Sequence, residues 1–183
     1  MNLDKQRPFE KYLNKYFVES GTNMGAGIDT ALKVGFERII SYEIYEPLYN
    51  EAKVKYLNNN SVCLYNKSSL KMWDEIQFID EPITFWLDGH WSGEGTGYDN
   101  DMLYPLIKEL EIIKKHPIKT HTILIDDRRL MRKDVINGEK EHAIIGFFEA
   151  EIFEAIYDIN PSYNITYDYG CIKDDIIVAK IES

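Results

Sequence analysis

The 183-residue sequence predicts one α/β domain, a Rossmann-like fold with a mostly parallel seven-stranded sheet, helices on both faces and a C-terminal antiparallel hairpin. Three observations predict it. Short apolar β runs alternate with helical patterns, which implies parallel strands joined by helical crossovers. A glycine-rich loop follows the first β run, at the strand-to-helix junction where open α/β sheets bind ligands. The last two β runs are separated only by turn residues, so they pair as a hairpin.

The elements follow in order. Residues 1–15 place Pro8 among charges and then Tyr12 and Leu13, a short helix or arm before the domain proper. Residues 16–20 read as a buried strand, and 27–35 as a helix that stops at Gly35, since glycine favours the end of a helix. A second strand spans 38–43, and a helix with Pro47 in its first turn runs to Leu57. Val62–Tyr65 is a short strand, 70–76 is helical, and 83–88 is a strongly apolar strand. A loop rich in glycine and acids covers 89–101. Leu103–Lys115 is a helix whose Leu106, Ile107 and Leu110 share a face, 120–125 is the fifth strand, and Phe147–Tyr157 is a helix. The hairpin strands are 164–169 and 176–181.

Composition narrows the function. The net charge of −10 argues against nucleic acid as the main partner, because that binding is driven by neutralising phosphates with basic side chains. No apolar run reaches the roughly 18 residues of a membrane span, and the polar N-terminus is not a signal peptide, so the expected location is the cytoplasm. Cys63 and Cys171 lack metal-type spacing and are expected as reduced core thiols.

The first strand ends in Glu19-Ser20-Gly21-Thr22-Asn23-Met24-Gly25-Ala26-Gly27. Glycines let a backbone turn sharply and approach a ligand closely. Glu43 ends the second strand, where an acid can accept both hydroxyls of a ribose. A nicotinamide dinucleotide needs a G-x-G-x-x-G loop against its pyrophosphate, and glycines at 21, 25 and 27 do not have that spacing. Glu19 would repel a pyrophosphate, but it suits the cationic amino group of S-adenosylmethionine, directly or through water.

These residues resemble class I S-adenosylmethionine-dependent methyltransferases, closest to the catechol O-methyltransferase-like and sugar O-methyltransferase branch. Glu19-x-Gly21-x-x-x-Gly25 resembles motif I, and Ser41-Tyr42-Glu43 resembles motif II with its ribose-binding acid. Asn66-Lys67-Ser68-Ser69 lies where the family places residues near the adenine. Leu87-Asp88-Gly89-His90-Trp91 is similar to the branch's Leu-Asp-His-Trp motif with one glycine inserted. Ile125-Asp126-Asp127 resembles the acidic pair that holds a divalent metal together with the motif IV aspartate. The resemblance implies that Glu19, Gly21, Thr22, Gly25, Gly27, Glu43, Ser68, Ser69 and Asp88 bind the cofactor. It also implies that Asp88, Asp126 and Asp127 hold a metal. One feature departs from the branch: its general-base lysine is replaced by Ser92.

Asp88 ends the fourth strand and Asp126-Asp127 the fifth, so a parallel sheet brings all three to one edge. Converging carboxylates need a cation or protons, and hard oxygen ligands suit Mg²⁺, Ca²⁺ or Mn²⁺. The alternative is that Asp88 orients the cofactor while Asp126 and Asp127 cap the next turn. His90, with an unperturbed pKa of about 6.5, suits a general base and is paired with Asp88 as catalytic. His116, His121 and His142 are assigned no role. The 89–101 loop, with Trp91 and Tyr98, fits either a lid or a mobile surface loop. Arg128, Arg129, Arg132 and Lys133 fit an anion-recognising patch or, more commonly, a solvated charged face.

The expected function is methyl transfer from S-adenosylmethionine to a small-molecule hydroxyl acceptor, with or without metal. A nicotinamide-dependent oxidoreductase and a non-catalytic S-adenosylmethionine-binding module are the alternatives, and self-association to complete the pocket stays open.

Overall fold

A computed structural model describes residues 6–99, 102–131 and 148–182. Seven strands form one sheet: β1 (Tyr16–Ser20), β2 (Arg38–Tyr42), β3 (Val62–Tyr65), β4 (Ile83–Leu87), β5 (Thr122–Ile125), β6 (Asn164–Asp168) and β7 (Ile176–Lys180). Their order is β3-β2-β1-β4-β5-β7-β6. Strands β1 to β5 pair in parallel, with Val18 between Ile40 and Phe85. β7 runs antiparallel to both β5 and β6, so β7 alone points the other way. The expected parallel sheet with a closing hairpin is what forms.

Residues along each strand alternate between two cores, as the strand period of two requires. Val18, Phe85, Leu87, Ile123, Ile125, Ile177 and Ala179 face one core, where α4 (Leu106–Lys115) and α5 (Glu149–Ile159) pack. Phe17, Trp86, Leu124, Ile176 and Val178 face the other, with α1 (Ala26–Val34) and α2 (Glu46–Lys55) supplying Ile28, Ala31 and Ala52. Strands covered on both faces read as continuous apolar runs, which is why Ile83–Leu87 is buried at every position.

Several boundaries differ from expectation. The helix expected from Leu103 starts at Leu106, one residue past Pro105, because the preceding chain leaves helical geometry to close the 89–99 loop. The 70–76 helix splits into a 3₁₀ turn at Ser69–Lys71 and the single turn α3 (Trp73–Ile76). α5 is shifted two residues from its expected span; Glu151 reaches back to the Phe148 N–H at 2.7 Å and sets its start. Phe147 and His142 lie outside the described residues. Cys63 is exposed and Cys171 partly so, not core thiols, because the edge strand β3 leaves one face open and Cys171 sits in the hairpin turn.

The arm contains a 3₁₀ turn at Phe9–Lys11 and is tied down. Phe9 is fully buried, with its ring 4.9 Å from Phe17 and 5.0 Å from Trp86. Lys11 and Tyr12 both bond Asp168 on β6, so the arm clasps the far edge of the sheet.

Candidate active site

A cleft of about 140 Å³, open to solvent, lies at the carboxyl edge of the parallel strands. Its lining follows the strand ends: Gly21 after β1, Glu43 after β2, Lys67 to Ser69 after β3, Asp88 to His90 after β4 and Asp127 after β5.

The β1–α1 loop is held against β2 by the Gly21 and Thr22 N–H groups, which both donate to the Tyr42 carbonyl at 3.0 and 3.2 Å. Gly21 has φ +81°, and a Cβ there would stand 2.7 Å from the Asp88 carbonyl oxygen. Only glycine lets this backbone pass so close to β4. Asn23 and Tyr45 donate their backbone N–H groups to the two Glu43 carboxylate oxygens, each at 2.8 Å. Glu43 is 6% exposed, yet it lines the cleft. Its oxygens are fixed and keep further lone pairs for incoming hydroxyls. Asn66 Nδ2 donates to the Glu43 carbonyl at 2.9 Å and joins the loops after β2 and β3. Ser68 accepts the Leu70 N–H, and Ser69 is nearly buried on the same wall.

Glu19 takes a different place. It is 1% exposed and lies behind the cleft surface, where Ser41 Oγ donates to it at 2.7 Å. Thr22 Oγ1 meets Ser41 Oγ at 2.5 Å, so a buried chain of hydroxyls connects Glu19 to the glycine loop. Burial pushes the Glu19 carboxyl up to about 8, against the Ser41 hydrogen bond and the Arg7 charge that favour ionisation. A Cβ on Gly27 would collide with Glu19 Oε2, so Gly27 clears room for this carboxyl. Gly25 starts α1 against the Tyr56 hydroxyl, which donates to its carbonyl at 2.8 Å. Thr22, Gly25 and Gly27 therefore shape the loop from behind, whereas Gly21, Glu43, Ser68, Ser69 and Asp88 face the cleft.

His90 stands between two carboxylates. Nδ1 is 3.7 Å from Asp88 Oδ1, and Nε2 is 3.3 Å from Asp127 Oδ2. Tyr104 stacks on the ring at 6.3 Å between centroids. One ligand atom each from Asp88, His90 and Asp127 lies within 4.8 Å of the others, a donor set of two carboxylates and an imidazole that fits a divalent cation. Asp126 belongs elsewhere. Its Oδ1 accepts the Asp127 N–H at 2.8 Å, and it groups with Asp127 and Asp175. The three aspartates proposed as metal ligands thus divide between two sets that share Asp127.

Arg129 supplies positive charge to the second set, with Nη1 2.7 Å from Asp127 Oδ1 and paired to Asp175. Arg128 pairs with Glu149 at 2.8 Å and lies over the Tyr167 ring. Both arginines pair with carboxylates of the protein. Arg132 and Lys133 lie outside the described residues.

The loop after β4 leans over the cleft. Ser92, Thr96, Gly97, Tyr98 and Asp99 line it, and Gly97 packs so tightly on the β2–α2 connection that a Cβ would stand 2.6 Å from Ile44 Cγ2. Residues 100 and 101 lie outside the described part.

The sequence reading missed Ile44 and Glu109 as lining residues. Ile44 directly follows Glu43 and was findable from that position. Glu109 carried a clearer signal: with Leu106, Leu110 and Ile113 it completes the apolar spacing of α4, where a carboxylate is out of place.

No protein-family model matches the chain, and no curated protein sequence matches it. Solved structures match the fold. A candidate caffeoyl-CoA O-methyltransferase from Staphylococcus aureus superposes with TM-score 0.57 at 12% identity, over 91% of this chain and 76% of that one. A candidate methyltransferase from Streptococcus mutans, in complex with SAH, gives 0.56 at 11% identity over 96% and 99%. A candidate rRNA methylase from Clostridium thermocellum gives 0.55 at 12% identity over 94% and 92%. The chain therefore has a Rossmann-like methyltransferase fold.

Proposed function

We propose that the protein is an S-adenosylmethionine-dependent methyltransferase acting on a hydroxyl of a small molecule. The observation that carries the reading is Glu43: a carboxylate at the tip of β2, fixed by two backbone N–H groups and facing a cleft that Gly21 keeps open. Similarity of fold to methyltransferases, one of them holding SAH, supports the same reading.

S-adenosylmethionine, when bound, supplies a methyl group on a sulfonium centre whose sulfur leaves neutral. Glu43 would accept the ribose hydroxyls, and Ser68 and Ser69 would border the base. Glu19 acts from behind through Ser41 and Thr22, setting the loop that Gly21 begins. Asp88 and His90 would hold the acceptor hydroxyl in line with the methyl group, since alignment is the main requirement when the donor is already activated. His90 would take the hydroxyl proton as the oxygen–carbon bond forms and the sulfur–carbon bond breaks. This imidazole fills the role that Ser92 cannot. A divalent cation, if used, would sit on Asp88, His90 and Asp127 and lower the hydroxyl pKa; His90 would then be a ligand and not the base.

Calorimetric titration with S-adenosylhomocysteine tests the assignment. Wild type should bind in the micromolar range, and Glu43→Ala should bind at least tenfold more weakly, about 1.4 kcal/mol. Absence of binding to wild type would remove the foundation of the reading. Methyl transfer from labelled S-adenosylmethionine to a panel of small hydroxyl compounds, measured with Mg²⁺ and with a chelator, separates the base and ligand roles of His90.

A further inference from the structure

A second, smaller pocket of about 20 Å³, room for one water-sized group such as an ammonium, opens behind Asp88, Gly89 and His90, under the start of α4. Its walls include Tyr104, Leu106, Glu109, Asp126 and Met131. Asp88, Gly89, His90 and Pro105 line both pockets, so the two are contiguous at the residues assigned to the acceptor.

Glu109 is unusual here. It is 1% exposed, it occupies a helix stripe otherwise filled by Leu106, Leu110 and Ile113, and its Oε1 is buried with no hydrogen-bond partner among the described residues. A Cβ on Gly89 would come within 3.4 Å of that oxygen, so the side-chain-free Gly89 is what separates Glu109 from the cleft. Burial pushes the carboxyl up to about 6, against hydrogen bonding from the Ser69 and Ser20 hydroxyls, which leaves Oε1 the oxygen open to a further donor. An unsatisfied buried carboxylate oxygen is costly, and a ligand carrying a positively charged donor offsets that cost. The rest of the wall agrees with a cation. Among the described residues no lysine or arginine lines the pocket, and Tyr104 offers an aromatic ring beside His90.

We infer that this pocket is an ammonium subsite, in which Glu109 receives the protonated amine of a compact amino alcohol whose hydroxyl lies at Asp88 and His90. The inference rests on the methyl-transfer reading for the role of the hydroxyl, but not for the binding of the amine. It narrows the acceptor from hydroxyl compounds in general to those carrying a primary ammonium a few bonds away.

The test uses matched probes: ethanolamine against ethylene glycol, and 2-amino-1,3-propanediol against glycerol. Dissociation constants are read by NMR titration of the wild type, with and without S-adenosylhomocysteine. The amines should bind at least tenfold more tightly than their neutral partners, and Glu109→Gln, which keeps the shape of the side chain, should reduce that preference below twofold. Equal binding within each pair, no binding of either amine, or a preference that survives Glu109→Gln would overturn the inference. If Glu109→Gln does not fold, the wild-type comparison decides, with Tyr104→Leu as the second variant and a weakened amine preference as its expected result. The two readings fail separately. A protein that binds S-adenosylhomocysteine without preferring amines loses only the subsite. One that prefers amines but binds no S-adenosylhomocysteine keeps the subsite and loses methyl transfer.

Discussion

Two histidines with no expected role prove to be a buried pair whose tautomers the hydrogen bonds determine. His121 Nδ1 accepts the Ile83 N–H at 3.1 Å, so its Nε2 carries the proton and donates to His116 Nδ1 at 3.0 Å. His116 Nδ1 also accepts the Ile118 N–H, and its Nε2 donates to the Ile76 carbonyl at 3.1 Å. Both rings are fully buried, and a further proton on either would displace an N–H donor. Burial, with smaller contributions from His116 and Lys119, lowers the His121 pKa from 6.5 to about 3. Between those values the unfolded chain binds the proton and the folded chain does not, so stability is full above 6.5 and falls as pH drops through this window. Urea unfolding near pH 5 should show a loss of roughly 2 kcal/mol relative to neutral pH from this ring, and the loss should disappear in His121→Gln. An equal loss in both proteins would assign the effect to other groups. Sequence spacing does not reveal such a pair, because the contact between His116 and His121 depends on where the α4–β5 turn places them. Glu43 was legible for the opposite reason: its place at a strand end dictates which edge of the sheet it serves. Glu19 was legible as a motif residue but not as a buried one, since only the fold brings Ser41 and Gly27 against it.

At the scale of elements, the strand-to-helix turns were predicted well and the connections were not. Apolar runs such as Ile83–Leu87 and the Leu106, Leu110 and Ile113 stripe declare themselves through period and burial. The late start of α4 and the 3₁₀ turn after β3 depend on tertiary partners that propensity does not contain. The β1–α1 turn is the element on which the site depends most. Gly21→Ala must hold an alanine at φ +81° and place its Cβ 2.7 Å from the Asp88 carbonyl oxygen. The backbone conformation alone costs about 1–2 kcal/mol, and relief of the clash would push β4 away from the loop. The expected outcome is a lower thermal midpoint together with weaker S-adenosylhomocysteine binding. Unchanged affinity in a destabilised variant would show that the turn serves folding and not the ligand.

For the whole molecule, the net charge of −10 disfavours binding driven by phosphate neutralisation, and Arg128 and Arg129 are engaged with carboxylates of the chain itself. A labelled rRNA fragment should show no salt-dependent retardation with this protein at physiological ionic strength, since binding through phosphates would weaken steeply as salt rises. Clear retardation that salt abolishes would overturn the small-molecule reading. The sheet order carries a separate consequence for how the molecule comes into being. Among the described residues β6 pairs only with β7, which also pairs with β5. During synthesis from the N-terminus β6 leaves the ribosome before the strand it pairs with, Ile176–Lys180, which in turn pairs with β5. A nascent chain stalled before Ile176 would leave the β5 edge with unpaired backbone N–H and C=O groups, a template for pairing with other chains.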